Sequence, residues 1–279
     1  MLHIVGCIKW VPDTTQVRID PETNTLIREG VPSIINPFDV HAIEEAVRLK
    51  ERFGGRVTMI CMGPPFAAEG LKKAVALGVD RGILMSDRAL AGSDTLATSA
   101  ALAAAISKLD KEEPVDLVLC GKQTIDGDTA QVGPGIATRL GFSQLTYVRE
   151  VQHVDLEKRT VRVRRNLEGA HEILEAPLPA LLTVLPDINE VRYASLPSLI
   201  RGINYEVPLW KAQDLDIDLS EVGLTGSPTQ VRRIFSPPER VGGEVMWRDS
   251  SDPDGIAKAL AQMLMDAGVV GAGKAEKQE

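Results

Sequence analysis

The chain has 279 residues, 44% of them apolar, enough for one large core or a core with appendages. Its formal net charge is −8, from 31 basic and 39 acidic side chains, and no long basic block is present, which argues against a surface built to neutralise nucleic-acid phosphates. No basic region precedes the apolar opening residues, and no apolar run reaches the roughly 20 residues that span a bilayer, so the sequence predicts a cytoplasmic protein without a transmembrane segment. Cys7, Cys61 and Cys120 each sit inside an apolar run, with no CxxC pair, and are expected to be buried reduced thiols.

In chain order, residues 3–9 read as a first strand and 16–28 as a hairpin turning at Asp20-Pro21-Glu22-Thr23-Asn24. Asn36 offers an N-cap oxygen and Pro37 suits the first position of a helix that carries Ala42, Ile43, Ala46, Val47 and Leu49 to the core and stops at Gly54-Gly55. Residues 56–62 form a second strand, followed by a helix to about Leu77 and a third strand over 81–86. Ser93 or Asp94 caps an Ala-rich helix to about Leu109. A fourth strand at 115–120, a polar loop at 121–128 and a helix over 129–140 close the series. Beyond Gly141, residues 145–156, 160–167 and 178–184 alternate as strands do. The expected architecture is an α/β domain at 1–186, a mostly parallel sheet with helices on both faces in a Rossmann-like nucleotide-binding topology. Residues 187–279, rich in prolines and short segments, are expected to be an extended C-terminal arm that packs on a partner subunit and ends in a frayed tail.

Ligands of open parallel sheets bind outside the carboxyl ends of the strands, where residues 9–13, 62–65, 86–94 and 121–132 arrive. The run Gly121-Lys122-Gln123-Thr124-Ile125-Asp126-Gly127-Asp128-Thr129-Ala130-Gln131-Val132-Gly133 is glycine-rich, polar and leads into a helix. Backbone N–H groups in such a turn suit a phosphate, and a capped turn with solvated carboxylates accounts for the same residues. There is no GxGxxG after the first strand, no Walker P-loop, no GxSxG elbow and no paired-histidine metal motif, so neither catalytic residues nor metal ligands are expected. An adenylating ligase of a related fold would need a Ser- and Gly-rich phosphate loop after the first strand, which Ile8-Lys9-Trp10-Val11-Pro12-Asp13 does not supply.

Four stretches carry a resemblance: Val118 to Asp126 with Asp128 and Gln131, Asn36-Pro37-Phe38 with Glu44-Glu45-Ala46 and Arg48-Leu49-Lys50, Ala76 to Gly82, and Leu185 to Pro197. Together they resemble the beta subunits of electron-transfer flavoproteins. The resemblance implies a heterodimer with an alpha subunit that holds a redox-active FAD, and a second nucleotide at the strand ends of this chain. That nucleotide is AMP in ordinary carriers and FAD in the electron-bifurcating branch, where NADH supplies the electrons. Carried over by position, its contacts are Cys7, Asn36, Pro37, Phe38, Asp39, Met62 and residues Gly121 through Val132. Gly127 and the 86–98 segment resemble the bifurcating branch, which places NADH near Asp87, Asp94, Thr95 and Thr98; a plain loop and N-cap fits the same segment. Leu196 matches a leucine that docks partner dehydrogenases, and the implied electron partners are dehydrogenases or ferredoxin. A lysine run that follows this leucine in the family is replaced here by Ile200-Arg201-Gly202-Ile203-Asn204.

Overall fold

The computed structural model describes residues 1–13, 18–19, 26–27, 32–232 and 252–270, which fall in two compact units, Met1–Ile234 and Phe235–Glu279. In chain order the first contains β1 (Leu2–Ile8), β2 (Trp10–Pro12), β3 (Arg18–Ile19), β4 (Leu26–Ile27), β5 (Ser33–Ile35), α1 (Pro37–Phe53), β6 (Gly55–Met62), α2 (Ala68–Ala76) and β7 (Arg81–Met85). It continues through α3 (Thr95–Glu112), β8 (Leu117–Gly121), α4 (Val132–Leu140), β9 (Ser143–Asp155), β10 (Thr160–Leu167), β11 (Ala170–Pro177), β12 (Ala180–Val184), α5 (Leu196–Ile203) and β13 (Leu209–Trp210). The second unit contributes α6 (Pro253–Asp266), capped by the Asp252 carboxylate on the Gly255 N–H, with Leu260, Met263 and Met265 exposed.

Nine strands form one sheet in the order β11-β10-β9-β12-β8-β1-β6-β7-β13. All neighbours from β9 to β13 in that order are parallel, and β9, β10 and β11 are antiparallel. The expected mostly parallel α/β architecture is therefore borne out. β1 is buried along its whole length because it is covered on both faces. Its side chains alternate: Leu2, Ile4 and Ile8 join the layer of α1 and α2, and Val5 and Cys7 join the layer of α3 and α4. The order of connection reverses at β1. The chain moves out through β6 and β7, then returns to place β8 on the other side of β1. Such a reversal opens a crevice at the carboxyl ends of β1 and β8.

Several local expectations change. β3 and β4 pair antiparallel as the expected hairpin, whose turn lies outside the described residues. Of the two residues offered as the cap of α3, Asp94 takes the role, accepting from the N–H groups of Leu96 and Ala97 at 3.0 Å, while Ser93 Oγ donates to the Leu90 carbonyl. The helix expected from Thr129 starts at Val132, because Asp128 and Ala130 adopt left-handed φ of 58° and 54°, which no helix accommodates. β11 was not foreseen: its side chains alternate between exposed and half-buried and never form an apolar run.

Part of the segment after Pro186 packs on the sheet. β13 adds an edge strand to β7, and Trp210, Ala212, Leu215 and Val222 are buried in the α3 layer. α5 lies on α2, where Gly202 is so close to the Lys72 carbonyl that an added Cβ would stand 2.5 Å from it. Tyr193, Leu196, Ile200 and Ile203 remain exposed.

Candidate functional site

The crevice at the switch point is tied together by one helix start. The Asn36 N–H donates to the Lys9 carbonyl at 2.9 Å, which joins the entry of α1 to the end of β1. Asp39, in the first turn of α1, accepts from the Lys9 N–H at 2.8 Å and from the Gly121 N–H at 3.0 Å. A single carboxylate thus bridges the ends of β1 and β8, the two strands that border the crevice. It is buried, and burial pushes its pKa up to about 7 against the hydrogen bonds from Lys9, Asn36 and Gly121 that favour its charged form. Gly121 is required by this closeness, since a Cβ there would stand 2.4 Å from Asp39 Oδ1 and 2.7 Å from the Phe38 carbonyl carbon.

Asn36 does not act as the expected side-chain cap of α1. Its Nδ2 donates to the Gln123 carbonyl at 2.8 Å, and its Oδ1 accepts from the Ile125 N–H at 3.2 Å. The fully buried amide thereby satisfies the backbone of the 121–128 loop rather than that of its own helix. Lys9 completes the hold, with its ammonium on both oxygens of Asp126 at 2.7 and 2.9 Å. Partial burial opposes ionisation of Asp126, but the lysine outweighs it and holds the carboxyl below its usual range. Within the loop, Gln123 donates to Asp128, and the Asp128 N–H donates to the Thr124 carbonyl at 2.8 Å. Lys9 belongs to the 9–13 segment expected at the strand ends but is missing from the contacts that the resemblance carries over by position.

The loop delivers the chain into α4. Among the described residues Gln131 makes no side-chain cap and no carboxylate lies in the first turn of this helix, so the N–H groups of Val132 and Gly133 are left open, Pro134 having none. Gly133 lets this turn sit against β12, where a Cβ would meet Thr183 Cγ2 at 2.6 Å. Thr129 and Gln131 are exposed, and Ala130 and Val132 are half-buried. Gln131 Oε1 accepts from Thr95 Oγ1 at 3.0 Å, which brings the start of α3 to the loop.

Cys7 and Cys120 are register partners beneath the crevice. The hydrogen bond between their thiols and the burial around them raise the Cys7 pKa well above its ordinary value, so this residue presents a thiol to the crevice floor. Cys61 is buried on the opposite layer, where burial pushes its pKa up to about 12. Met62, half-buried, closes the end of β6. Pro37 is exposed and Phe38 half-buried at the start of α1.

Of the residues expected near NADH, Thr95 reaches the loop through Gln131, while Asp87 and Asp94 are engaged within the protein. Asp87 accepts from the Ala89 and Ala212 N–H groups at 3.0 and 3.1 Å. Asp94 Oδ1 caps α3, and its Oδ2 accepts from Thr229 N–H and Oγ1 at 3.0 and 2.8 Å. Both carboxylates therefore fasten the 209–229 segment to the α3 turn. Thr98 is half-buried in the first turns of α3. Leu196 is 70% exposed at the start of α5, and the segment leading to it is anchored by Arg192 on Glu44 and Glu51 of α1 at 2.6–3.2 Å.

A family model described as the electron transfer flavoprotein domain matches residues 23–209. The chain belongs to the electron-transfer flavoprotein family. Protein FixA of Azotobacter vinelandii is 50% identical over 265 residues, covering 94% of each chain. The electron transfer flavoprotein subunit beta of Clostridium acetobutylicum is 47% identical over 245 residues, covering 88% of this chain and 92% of its own. That of Thermoanaerobacterium thermosaccharolyticum is 49% identical over 245 residues with the same coverage. The resemblance to electron-transfer flavoprotein beta subunits is borne out, and electron transfer is the process to which this family membership assigns the chain. Among the described residues no helix is long and apolar enough to cross a membrane, and no cluster of His, Cys, Asp and Glu is arranged to hold a metal.

Proposed function

We propose that this chain is the nucleotide-holding beta subunit of a cytoplasmic, heterodimeric electron-transfer flavoprotein, with FAD in the switch-point crevice and NADH as electron source. The observation that carries the reading is the fastening of the 121–132 loop by three residues from outside it, Lys9, Asn36 and Asp39. A loop that served only as a connection would not need a buried amide and a buried carboxylate to fix it.

The residues present fit such a group. The unspent N–H groups at the start of α4 suit phosphate oxygens, with Thr129 and Gln131 able to add side-chain hydrogen bonds. Gly127 is exposed, and a Cβ there would meet only the rotatable Thr124 Oγ1 at 3.3 Å, which leaves space at the loop's outer edge for more than an adenylate. When bound, a flavin supplies the acceptance of a hydride from NADH and, in the bifurcating branch, division of the electron pair between a lower- and a higher-potential acceptor. The protein's own residues bind, orient and shield. Electron delivery is to dehydrogenase or ferredoxin partners, with Leu196 at the docking surface.

The deciding experiment is the absorbance spectrum of the complex co-expressed with its alpha subunit, followed by release and identification of its nucleotides. Two FAD per heterodimer and bleaching by NADH are expected, and Gly127→Asp should lower occupancy of one FAD alone. One FAD with one AMP, and no response to NADH, assigns the chain to the ordinary carriers instead. A complex without flavin rejects both readings.

A further inference from the structure

One lysine stands at the end of β1 and another within the 121–132 loop, and their charges are used differently. Lys9, at the end of β1, is neutralised by Asp126 at 2.7 Å. Lys122, at the end of β8, is fixed through its backbone, whose N–H donates to the Val184 carbonyl at 2.9 Å. Its ammonium forms no ion pair among the described residues and instead lies 5.0 Å from the centroid of the Tyr147 ring. A cation over an aromatic face is held in place yet keeps its full charge and its hydrogen-bond donors.

Tyr147 occupies a conformation that few side chains adopt. β9 carries an extra residue against β12, Leu182 pairing with Leu145 and Val184 with Val148, and Tyr147 sits in this bulge at a left-handed φ of 58°. Glycine or asparagine is the ordinary occupant of such a position. The tyrosine N–H is satisfied by Thr183 Oγ1 at 3.2 Å, and Thr183 is buried. Tyr147 is 40% exposed, so burial in the core does not account for an aromatic residue there. Strain of this kind persists where the surroundings impose it and is concentrated at functional positions.

We infer that Tyr147 is a positioning residue of the nucleotide site, its ring holding the Lys122 ammonium beside the loop as the free positive charge that meets a nucleotide phosphate. This rests on the reading that the switch-point crevice holds a nucleotide. It adds to that reading a residue on β9, outside the loop and outside every segment that carries the family resemblance.

The test uses the co-expressed heterodimer, stripped of the nucleotide in this subunit, with AMP, FAD and adenosine as titrants. Lys122→Met should weaken AMP and FAD about tenfold, the scale of one charge-assisted contact. Tyr147→Gly removes the ring at a φ that glycine prefers, so the fold should not suffer, and it should weaken both phosphate ligands about two- to fivefold. Tyr147→Phe keeps the ring and should bind as the unmodified complex does. The double substitution should bind no more weakly than Lys122→Met, since the ring acts only through the lysine. Adenosine, without a phosphate, should be indifferent to all of them. Unchanged AMP and FAD binding by Tyr147→Gly, additive losses in the double variant, or an equal loss for adenosine would overturn the inference. An unmodified complex that binds neither AMP nor FAD would overturn the reading of the crevice itself, and the inference with it.

Discussion

Asn36 donates from Nδ2 to the Gln123 carbonyl at 2.8 Å, a side-chain bond that spans 87 residues of sequence and fixes the 121–128 loop from the start of α1. Its Oδ1 accepts from Ile125 N–H, so one buried amide answers one acceptor and one donor of the loop. Asn36→Ala leaves both groups without a partner, and a cost of about 1–3 kcal/mol is expected. Chemical unfolding should report that loss, and nucleotide release should quicken with it. Stability and retention that both match the unmodified protein would show that the loop holds its shape without Asn36.

Asp39 makes stability depend on pH in a direction opposite to most carboxylates. Its pKa rises from 3.8 to about 7 on folding, so between these values the native state binds the extra proton. The contribution of this group is complete below pH 3.8 and is lost as pH rises through about 7. Asp94 and Asp126, held below their usual range against partial desolvation by hydrogen-bond donors and, for Asp126, by Lys9, act in the opposite sense and lose their contribution as pH falls. Asp39→Asn should therefore remove a fall in stability between roughly pH 4 and 7. The difference between variant and unmodified protein isolates it, because the other carboxylates are common to both. Unfolding free energies that run parallel over this window would show that Asp39 titrates normally.

The parts of this fold that can be read along the chain are those governed by neighbours in sequence. β1, β6 and β8 are apolar runs because each is covered on both faces, and Gly141, with φ of 67°, stops α4 as a left-handed cap should. Asn36 before a proline-led helix carries the same signature whether its oxygen caps that helix or reaches a loop 89 residues further on, and only packing decides. Asp87 and Asp94 show the same limit. Their sequence context fits a ligand loop, and their carboxylates are occupied by Ala212 and Thr229, residues more than 100 positions away. Trp210 and Leu215 are buried yet too widely spaced among polar and acidic residues to form a recognisable face. Tyr147 gives no warning at all, because an aromatic residue in an alternating run is an ordinary strand residue until its φ is known.

Arg192 fastens the start of the 193–203 segment to α1, ahead of the contacts that α5 makes with α2. Its guanidinium spans Glu44, which is buried, and Glu51, whose carboxyl its hydrogen bonds hold below the usual range. Arg192→Gln strands the buried Glu44 carboxylate, and because the arginine is 31% exposed the expected loss is moderated to about 1–3 kcal/mol. Adding Glu44→Gln should recover part of it, since the uncompensated charge is then gone. A double-mutant cycle by urea unfolding measures the coupling, and strictly additive losses would show that the two groups do not support one another.

Leu196 separates a role in folding from a role in docking. It is the first residue of α5, 70% exposed, with Tyr193, Ile200 and Ile203 also open to solvent nearby in the chain. An exposed leucine contributes little to its own fold, so Leu196→Ala should alter unfolding free energy by less than about 0.5 kcal/mol. Ser195 still caps the helix by accepting from the Ser198 N–H, and Arg201 still reaches the Val75 carbonyl at 2.6 Å, so the segment keeps its place. If this side chain enters a pocket on an electron-transfer partner, its removal should weaken docking by about 1–3 kcal/mol, roughly a five- to 150-fold change in affinity. The loss should appear in the partner concentration needed for half-maximal transfer, with flavin content and the limiting rate at saturation unchanged. Ile200 and Ile203 are exposed beside it and Arg201 is the only charge among residues 200–204, so docking through this surface should depend little on added salt. Equal transfer at all partner concentrations would remove Leu196 from the docking surface, and a lowered limiting rate at saturation would assign it to electron delivery within the complex.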